Sequence, residues 1–128
     1  SRFAASVATS TTVVCMRSIL RGCASRYNPR MAIELYWASG SAYSWRVMLA
    51  LEHKRLSYVG HELQLSFQEQ QSPQMMAMNP RGRVPVLKDG DYVVFESVAV
   101  LHYLDLKYAT PPIFGRSPEE AAVIIRVI

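Results

Sequence analysis

The sequence predicts an α/β fold: a small mixed sheet of four strands with helices on both faces. Three observations predict it. Short segments of strand-like apolar pattern alternate with segments of helical period, in the order β-α-β-α-β-β-α. Asp89-Gly90 places a tight-turn dipeptide between two short apolar runs, so the last two strands form an antiparallel hairpin. The first two strands are joined through a helix, so they pair in parallel by a right-handed crossover.

Each element has its own reason. Residues 32–37, "AIELYW", alternate Ile33, Leu35 and Trp37 against Glu34 and Tyr36, a strand period of two. "ASGSAY" turns the chain, with Ser39 and Ser41 both able to cap the helix after it. Residues 41–54 read as a helix, because Ser44, Val47, Met48 and Leu51 recur at spacings of three and four. A second strand lies around residues 57–63, where Gly60 permits a bulge or a local twist. Residues 66–78 are rich in Gln and read as a loop with an irregular short helix. Met75, Met76 and Met78 pack that loop over the sheet. Asn79-Pro80-Arg81-Gly82 is a turn. Residues 84–88 and 91–95 are the hairpin strands. Residues 96–109 form a helix with Ser97, Val100, Leu101, Leu104 and Tyr108 on one face. "TPPIFGRSP" breaks it. Ser117, Pro118, Glu119 and Glu120 then open a last helix in cap, first-position and first-turn order.

The chain divides into four segments. Residues 1–30 are a basic leader, 31–109 the α/β domain, 110–116 a linker, and 117–128 the start of a helical region. The last segment is dense in apolar residues and calls for further helices as partners. The leader carries five arginines and no acid, whereas residues 31–128 carry nine basic and ten acidic groups. The net charge of +4 therefore belongs to the leader. A nucleic-acid surface needs a basic patch within the domain, and Arg81 with Arg83 is too thin for one. The leader reads as an organelle-targeting segment, as read-through sequence or as an ordinary structured extension, and in each case the fold class rests on residues 31–128 without it. Both cysteines, Cys15 and Cys23, lie in it. The domain therefore holds neither a disulfide framework nor a cysteine zinc site. His53, His61 and His102 show no metal-ligand spacing, and no apolar run approaches a membrane span.

Candidate functional residues gather at strand-to-helix junctions. Pro85 stands between Val84 and Val86 at the start of a hairpin strand. Two readings stay open there: a trans proline at a strand's first position, or a cis Val84–Pro85 bond. The cis form frees the Val84 amide and carbonyl for a peptide laid alongside as an added strand. Glu96 and Ser97 open a helix directly after the last strand. Either they cap it, or Ser97 holds a carboxylate while Glu96 pairs with an ammonium. Ser41 heads the first helix, where the dipole favours an anion such as a thiolate. His53 lies about three turns further along that helix, too far to activate Ser41 as a nucleophile. Trp37 and Trp45 read as core or interface residues. Arg46 either faces solvent or reaches another domain or subunit.

Taken together, "LYWASGSAYSWRVMLALEHK", "NPRGRVPVL" and "DYVVFESVAVLHYLDLKY" resemble the amino-terminal, thioredoxin-like domain of cytosolic glutathione transferases. The resemblance covers residues 32–128. "SAYSWR" is similar to the "SSCSWR" stretch of the zeta class, which includes maleylacetoacetate isomerases, and to bacterial serine-type transferases and their dehalogenase relatives. Ala42 stands where that class has a second serine and Tyr43 where some members have a cysteine. The resemblance implies Ser41 as the catalytic serine, with Ser44 as the alternative one turn out of register. It implies glutathione as co-substrate, held by the Val84 backbone beside Pro85, by Glu96 and by Ser97, with residues 64–71 near its glycine end. It further implies transfer to a small electrophile, a homodimer in the full-length protein, and an all-helical second domain that builds most of the electrophile pocket. The cytoplasm is the implied location, with the mitochondrion as the alternative if residues 1–30 are a targeting segment. Residues 31–128 alone are then expected to be weakly active or inactive. Cis–trans isomerisation and a non-catalytic assembly module are the alternative functions. A thiol–disulfide oxidoreductase is set aside, because the first helix start lacks the cysteine it needs.

Overall fold

The computed structural model describes residues 11–12 and 33–128. Its sheet has five strands in the order β1-β3-β2-β4-β5: β1 (Thr11–Thr12), β2 (Ile33–Trp37), β3 (Tyr58–Glu62), β4 (Val86–Asp89) and β5 (Tyr92–Phe95). The four strands of the α/β domain are those expected. β2 and β3 are parallel, while β2–β4 and β4–β5 are antiparallel. The fifth strand comes from the leader, for which a structured extension is one of the sequence readings. Thr11 and Thr12 pair antiparallel with His61 and Gly60 on the outer edge of β3. The remaining leader residues, and the readings placed on them, lie outside the described residues.

Alternation in β2 divides the core into two. Ile33 and Leu35 face one side of the sheet with Leu87, the partner of Leu35 in register. There they meet α1 (Ala42–His53) and α3 (Ser97–Lys107) through Val47, Leu51, Val100, Leu101 and Leu104. Each buried aliphatic side chain contributes about 1.5–3 kcal/mol of transfer free energy. Tyr36 and its register partner Val86 face the other side and are covered by Met75 of α2 (Pro73–Met78). Met75 and Met78 thus pack over the sheet as expected, whereas Met76 is exposed. Residues 64–72 wind through two 3₁₀ turns, Leu65–Phe67 and Glu69–Gln71.

Gly60 does not form a bulge. The β2–β3 register runs unbroken from Ile33↔Tyr58 to Trp37↔Glu62. What Gly60 provides is room: a Cβ there would stand 3.1 Å from the Trp37 indole nitrogen. The hairpin turns at Gly90, whose φ of +62° suits a residue without a side chain.

Two polar hubs fix the far side of the helices. Lys54, at the C-terminus of α1, has a fully buried side chain. Its ammonium donates to Asp105 Oδ1 at 2.9 Å and to the carbonyls of Tyr108 and Pro111. Asp105 in turn accepts from the amides of Ile113 and Phe114. Asp89 accepts from Lys107 Nζ and from the hydroxyls of Tyr103 and Tyr108. After this linker, α4 (Pro118–Arg126) begins at Ser117, whose Oγ accepts from the Glu120 amide at 3.2 Å. Val123 and Ile125 of α4 are exposed. No helix among the described residues is long and apolar enough to cross a membrane.

Candidate active site

A cavity of about 790 Å³ opens beside the heads of α1 and α3. Four of the residues expected at the site line it together: Val84, Pro85, Glu96 and Ser97. The Val84–Pro85 bond is cis. Val84 lies ahead of the β4–β5 ladder, which begins at Val86↔Phe95. Among the described residues its amide and carbonyl take part in no backbone hydrogen bond. The approach to Val84 is shaped by Asn79, buried to 2 %. Asn79 Oδ1 accepts from the Arg81 amide at 3.0 Å, and its Nδ2 donates to the Arg83 carbonyl at 2.8 Å. Gly82 at φ +59° completes that turn.

Glu96 is not a side-chain cap for α3, which corrects one of the two sequence readings. Its carboxylate pairs with Arg81 Nη1. Both partners are more than half exposed, so the pair is worth about 0–1 kcal/mol and leaves the carboxylate open to a second donor. The backbone of Glu96 has φ +68° and ψ 114°, a conformation that costs a non-glycine residue about 1–3 kcal/mol. Strain of this kind persists where the surroundings over-determine it, and here it sits at the cavity wall.

Ser97 is buried to 7 % and its Oγ accepts from Arg46 Nη1 at 3.1 Å. Arg46 therefore reaches α3 within its own chain, rather than facing solvent as one sequence reading has it. Its other nitrogen, Nη2, donates to the Ile128 carbonyl at 3.3 Å. Arg46 and Tyr43 lie three apart, on one face of α1, and both line the cavity. Neither has a site role in the sequence reading. The signal is available in that spacing, but the partner of Arg46 lies 51 residues away.

Ser41 caps α1: its Oγ accepts from the Ser44 amide at 3.2 Å. That uses a lone pair and leaves the hydroxyl proton free to donate. Ser41 itself is absent from the cavity lining, although Tyr43 and Arg46 of α1 are part of it. Ser44, the alternative, is fully buried, and its Oγ has no hydrogen-bond partner among the described residues. Enclosure of that kind removes it from contact with a ligand. None of residues 64–71 lines the cavity. His53 contacts the Pro112 carbonyl at 3.3 Å, away from Ser41. Trp37 packs at the edge of the core, whereas Trp45 is 51 % exposed beside a second cavity that runs along α1 and reaches Leu101 and Ile113. Among the described residues no group of three or more His, Cys, Asp or Glu side chains is placed to hold a metal ion.

Among the side chains that line it, the cavity carries three guanidiniums, Arg46, Arg81 and Arg83, against the one carboxylate of Glu96. It suits a ligand with two net negative charges that also offers a cation to Glu96.

Residues 31–106 match the family model "Glutathione S-transferase, N-terminal domain". Glutathione S-transferase A of Pleuronectes platessa is 45% identical over 76 residues, which is 58% of this chain and 33% of that protein. A zeta-class glutathione S-transferase of Euphorbia esula is 37% identical over 91 residues, 71% of this chain and 40% of that protein. Among solved structures, a glutathione S-transferase from the Antarctic clam Laternula elliptica superposes with a TM-score of 0.70 at 37% identity, covering 74% of this chain and 43% of its own. A glutathione transferase homologue from Sulfitobacter with bound glutathione gives 0.67 at 30% identity, covering 72% of this chain and 44% of its own. The chain thus spans less than half the length of these relatives.

Proposed function

The chain belongs to the glutathione S-transferase N-terminal domain family, and from that premise we propose that it binds glutathione and ionises its thiol for attack on a small electrophile. The observation that carries the reading is charge complementarity at a cavity walled by a free stretch of backbone. Glutathione has two carboxylates and one ammonium, and its thiolate adds one more negative charge. That total matches three guanidiniums and one carboxylate.

Each group then has a partner. The cysteinyl residue lies along the Val84 backbone beside Pro85 as an added strand. The γ-glutamyl ammonium shares the Glu96 carboxylate with Arg81. The α-carboxylate of the γ-glutamyl residue meets Ser97 and the first amides of α3. The thiol sits at the head of α1. A free thiol has a pKa of about 8.5, and a helix head with a hydroxyl donor lowers it, so that more thiolate exists at neutral pH. Ser41 is the proposed donor. Tyr43 is its rival, because its ring lines the cavity and Ser41 does not.

The thiolate sulfur forms a bond to the electrophilic carbon, and either a leaving group departs with the displaced electron pair or a conjugated double bond accepts it and takes a proton. In the second case addition, rotation about the resulting single bond, and elimination of the thiolate with loss of the added proton amount to cis–trans isomerisation. The zeta-class relative favours that alternative. The same reading takes the full-length protein as a homodimer in the cytoplasm, or in the mitochondrion if residues 1–30 are a targeting segment.

Titration of the protein with glutathione, followed by thiolate absorbance against pH, tests the reading. A thiol pKa at least about one unit below that of free glutathione is the expected result. Binding with an unshifted thiol would leave a non-catalytic module. Ser41→Ala should raise the bound thiol's pKa with little change in affinity, and Tyr43→Phe should leave it unchanged; the reverse pattern transfers the role to Tyr43.

A further inference from the structure

Thr11 and Thr12 lie outside the family match at residues 31–106, yet they take a place in the sheet. The strand order puts β1 on the outer side of β3. Which groups meet there follows from the ladder on the inner side. The Leu63 amide donates to the Trp37 carbonyl at 2.8 Å, one step beyond the parallel β2–β3 register. Backbone groups alternate in direction along a strand. Val59 and His61 therefore turn toward β2 with Leu63, and Tyr58, Gly60 and Glu62 turn outward. Gly60 stands opposite Thr12. In an antiparallel ladder an outward-facing pair of this kind exchanges both its N–H···O=C bonds, so Thr12 satisfies the Gly60 amide and carbonyl. Thr11 opposite His61 is the adjoining pair without mutual bonds.

An uncovered edge presents such groups as a template for another chain. Proteins blunt edges with lysine, with proline or with a cover. β3, "YVGHE", has neither lysine nor proline, and its Tyr58, Val59 and Gly60 are buried. The leader supplies the cover, at the start of a run of four β-branched residues, "TTVV". The same edge also fits a copy of itself. Two β3 strands laid antiparallel about a twofold axis at Gly60 bring the Tyr58 of each copy opposite the Glu62 of the other. Every outward group is then paired, and no like charges face each other.

We propose that the Thr11–Thr12 strand is a guard: by pairing with Gly60 it closes the outer edge of β3 against the β3 edge of a second copy of this chain. The proposal stands without the glutathione reading. Any dimer formed through other surfaces is common to all variants, so the association that counts is what exceeds that of the unsubstituted chain.

Amide exchange at Gly60 and sedimentation of the full chain test it. Thr12→Pro removes the N–H given to the Gly60 carbonyl. It should speed exchange of the Gly60 amide at least about tenfold and add a concentration-dependent association. Thr11→Pro is the control, because the Thr11 N–H points away from β3. It should leave Gly60 exchange within about twofold and add no association. Glu62→Pro in the Thr12→Pro background blocks the β3 edge itself, at a strand end where proline is tolerated, and should return association to that of the unsubstituted chain. Unchanged exchange in Thr12→Pro would show that the strand does not cover Gly60, and would overturn the proposal. Faster exchange without added association would show a cover that guards nothing, and would overturn it too. Association that survives Glu62→Pro would belong to another surface, with the same consequence. If Thr12→Pro fails to fold, Thr12→Asp, which keeps the amide but disfavours a strand, is put through the same comparison.

Discussion

At the scale of single residues, three serines show how position rather than residue type decides a role. Ser41 uses a lone pair on its own helix and keeps a proton, Ser97 has a lone pair taken by Arg46, and Ser44 has neither partner nor exposure. A buried hydroxyl without a partner has lost its hydration for nothing in return, a cost of about 1–3 kcal/mol. Ser44→Ala removes that hydroxyl at a helical position where alanine is also the better former. We expect it to leave thiolate formation unchanged and to hold or raise the urea midpoint of unfolding; loss of thiolate formation would restore Ser44 as a site residue. Ser97→Ala has the opposite signature. It removes a donor to a charged group, so the glutathione concentration at half saturation should rise about tenfold while the thiol pKa stays put. Unchanged saturation in a binding titration would take Ser97 out of the site.

At the scale of elements, the sheet and both site helices are legible in the sequence because their signals are local. Period-two alternation marks β2, and spacings of three and four mark the buried faces of α1 and α3, of which Ser97, Val100, Leu101 and Leu104 are buried as expected. Val84 and Pro85 stand out because a proline inside an apolar run needs an explanation. What the sequence conceals is long-range pairing. Neither the Arg46–Ser97 bond nor the Lys54–Asp105 pair has a local signature, since each joins residues 51 apart. The Thr11–Thr12 strand is concealed for a related reason: its partner, β3, is remote in the chain, and two residues carry no period. The Lys54 hub ties the C-terminus of α1 to the end of α3 and to the linker before α4. An ammonium with no exposed side-chain surface loses its only counter-charge if Asp105 is neutralised. Asp105→Asn should therefore destabilise the fold by about 3 kcal/mol, read from urea denaturation. Lys54→Met with Asp105→Asn, which removes the buried charge as well, should recover most of that loss. A double variant as unstable as the sum of the single ones would show that the pair is not the cause.

At the scale of the whole molecule, three carboxylates on three separate parts of the fold respond to acid in the same direction. Burial pushes the Glu34 carboxyl up, but donation from Lys88 and His61 outweighs it and holds the group below its ordinary value. Asp89 is likewise pushed up by burial and brought lower by Lys107, Tyr103 and Tyr108. Asp105 follows the same pattern, with Lys54 and the amides of Ile113 and Phe114 as donors. These groups span the sheet face away from α1, the β4 end beneath α3, and the linker. A carboxyl with a lowered folded value binds its proton more readily in the unfolded chain. Its contribution to stability is therefore present in full above the unfolded value of about 4, and is lost as pH falls through the lower folded value. Lys107 works at the other end of the scale. Its bond to Asp89 raises it above an ordinary lysine, so its contribution is lost only as the solution becomes strongly alkaline. Between these limits the fold should show a flat stability plateau through neutral pH and a steep acid limb starting near about pH 4. Denaturant unfolding measured from about pH 7 down to about pH 3 checks this, and Asp89→Asn supplies the control. That variant loses stability at neutral pH but no longer titrates at this position, so its curve should converge on that of the unsubstituted chain in acid. Parallel curves, with the same gap in acid as at neutral pH, would show that the Asp89 charge does not hold the β4 end against α3.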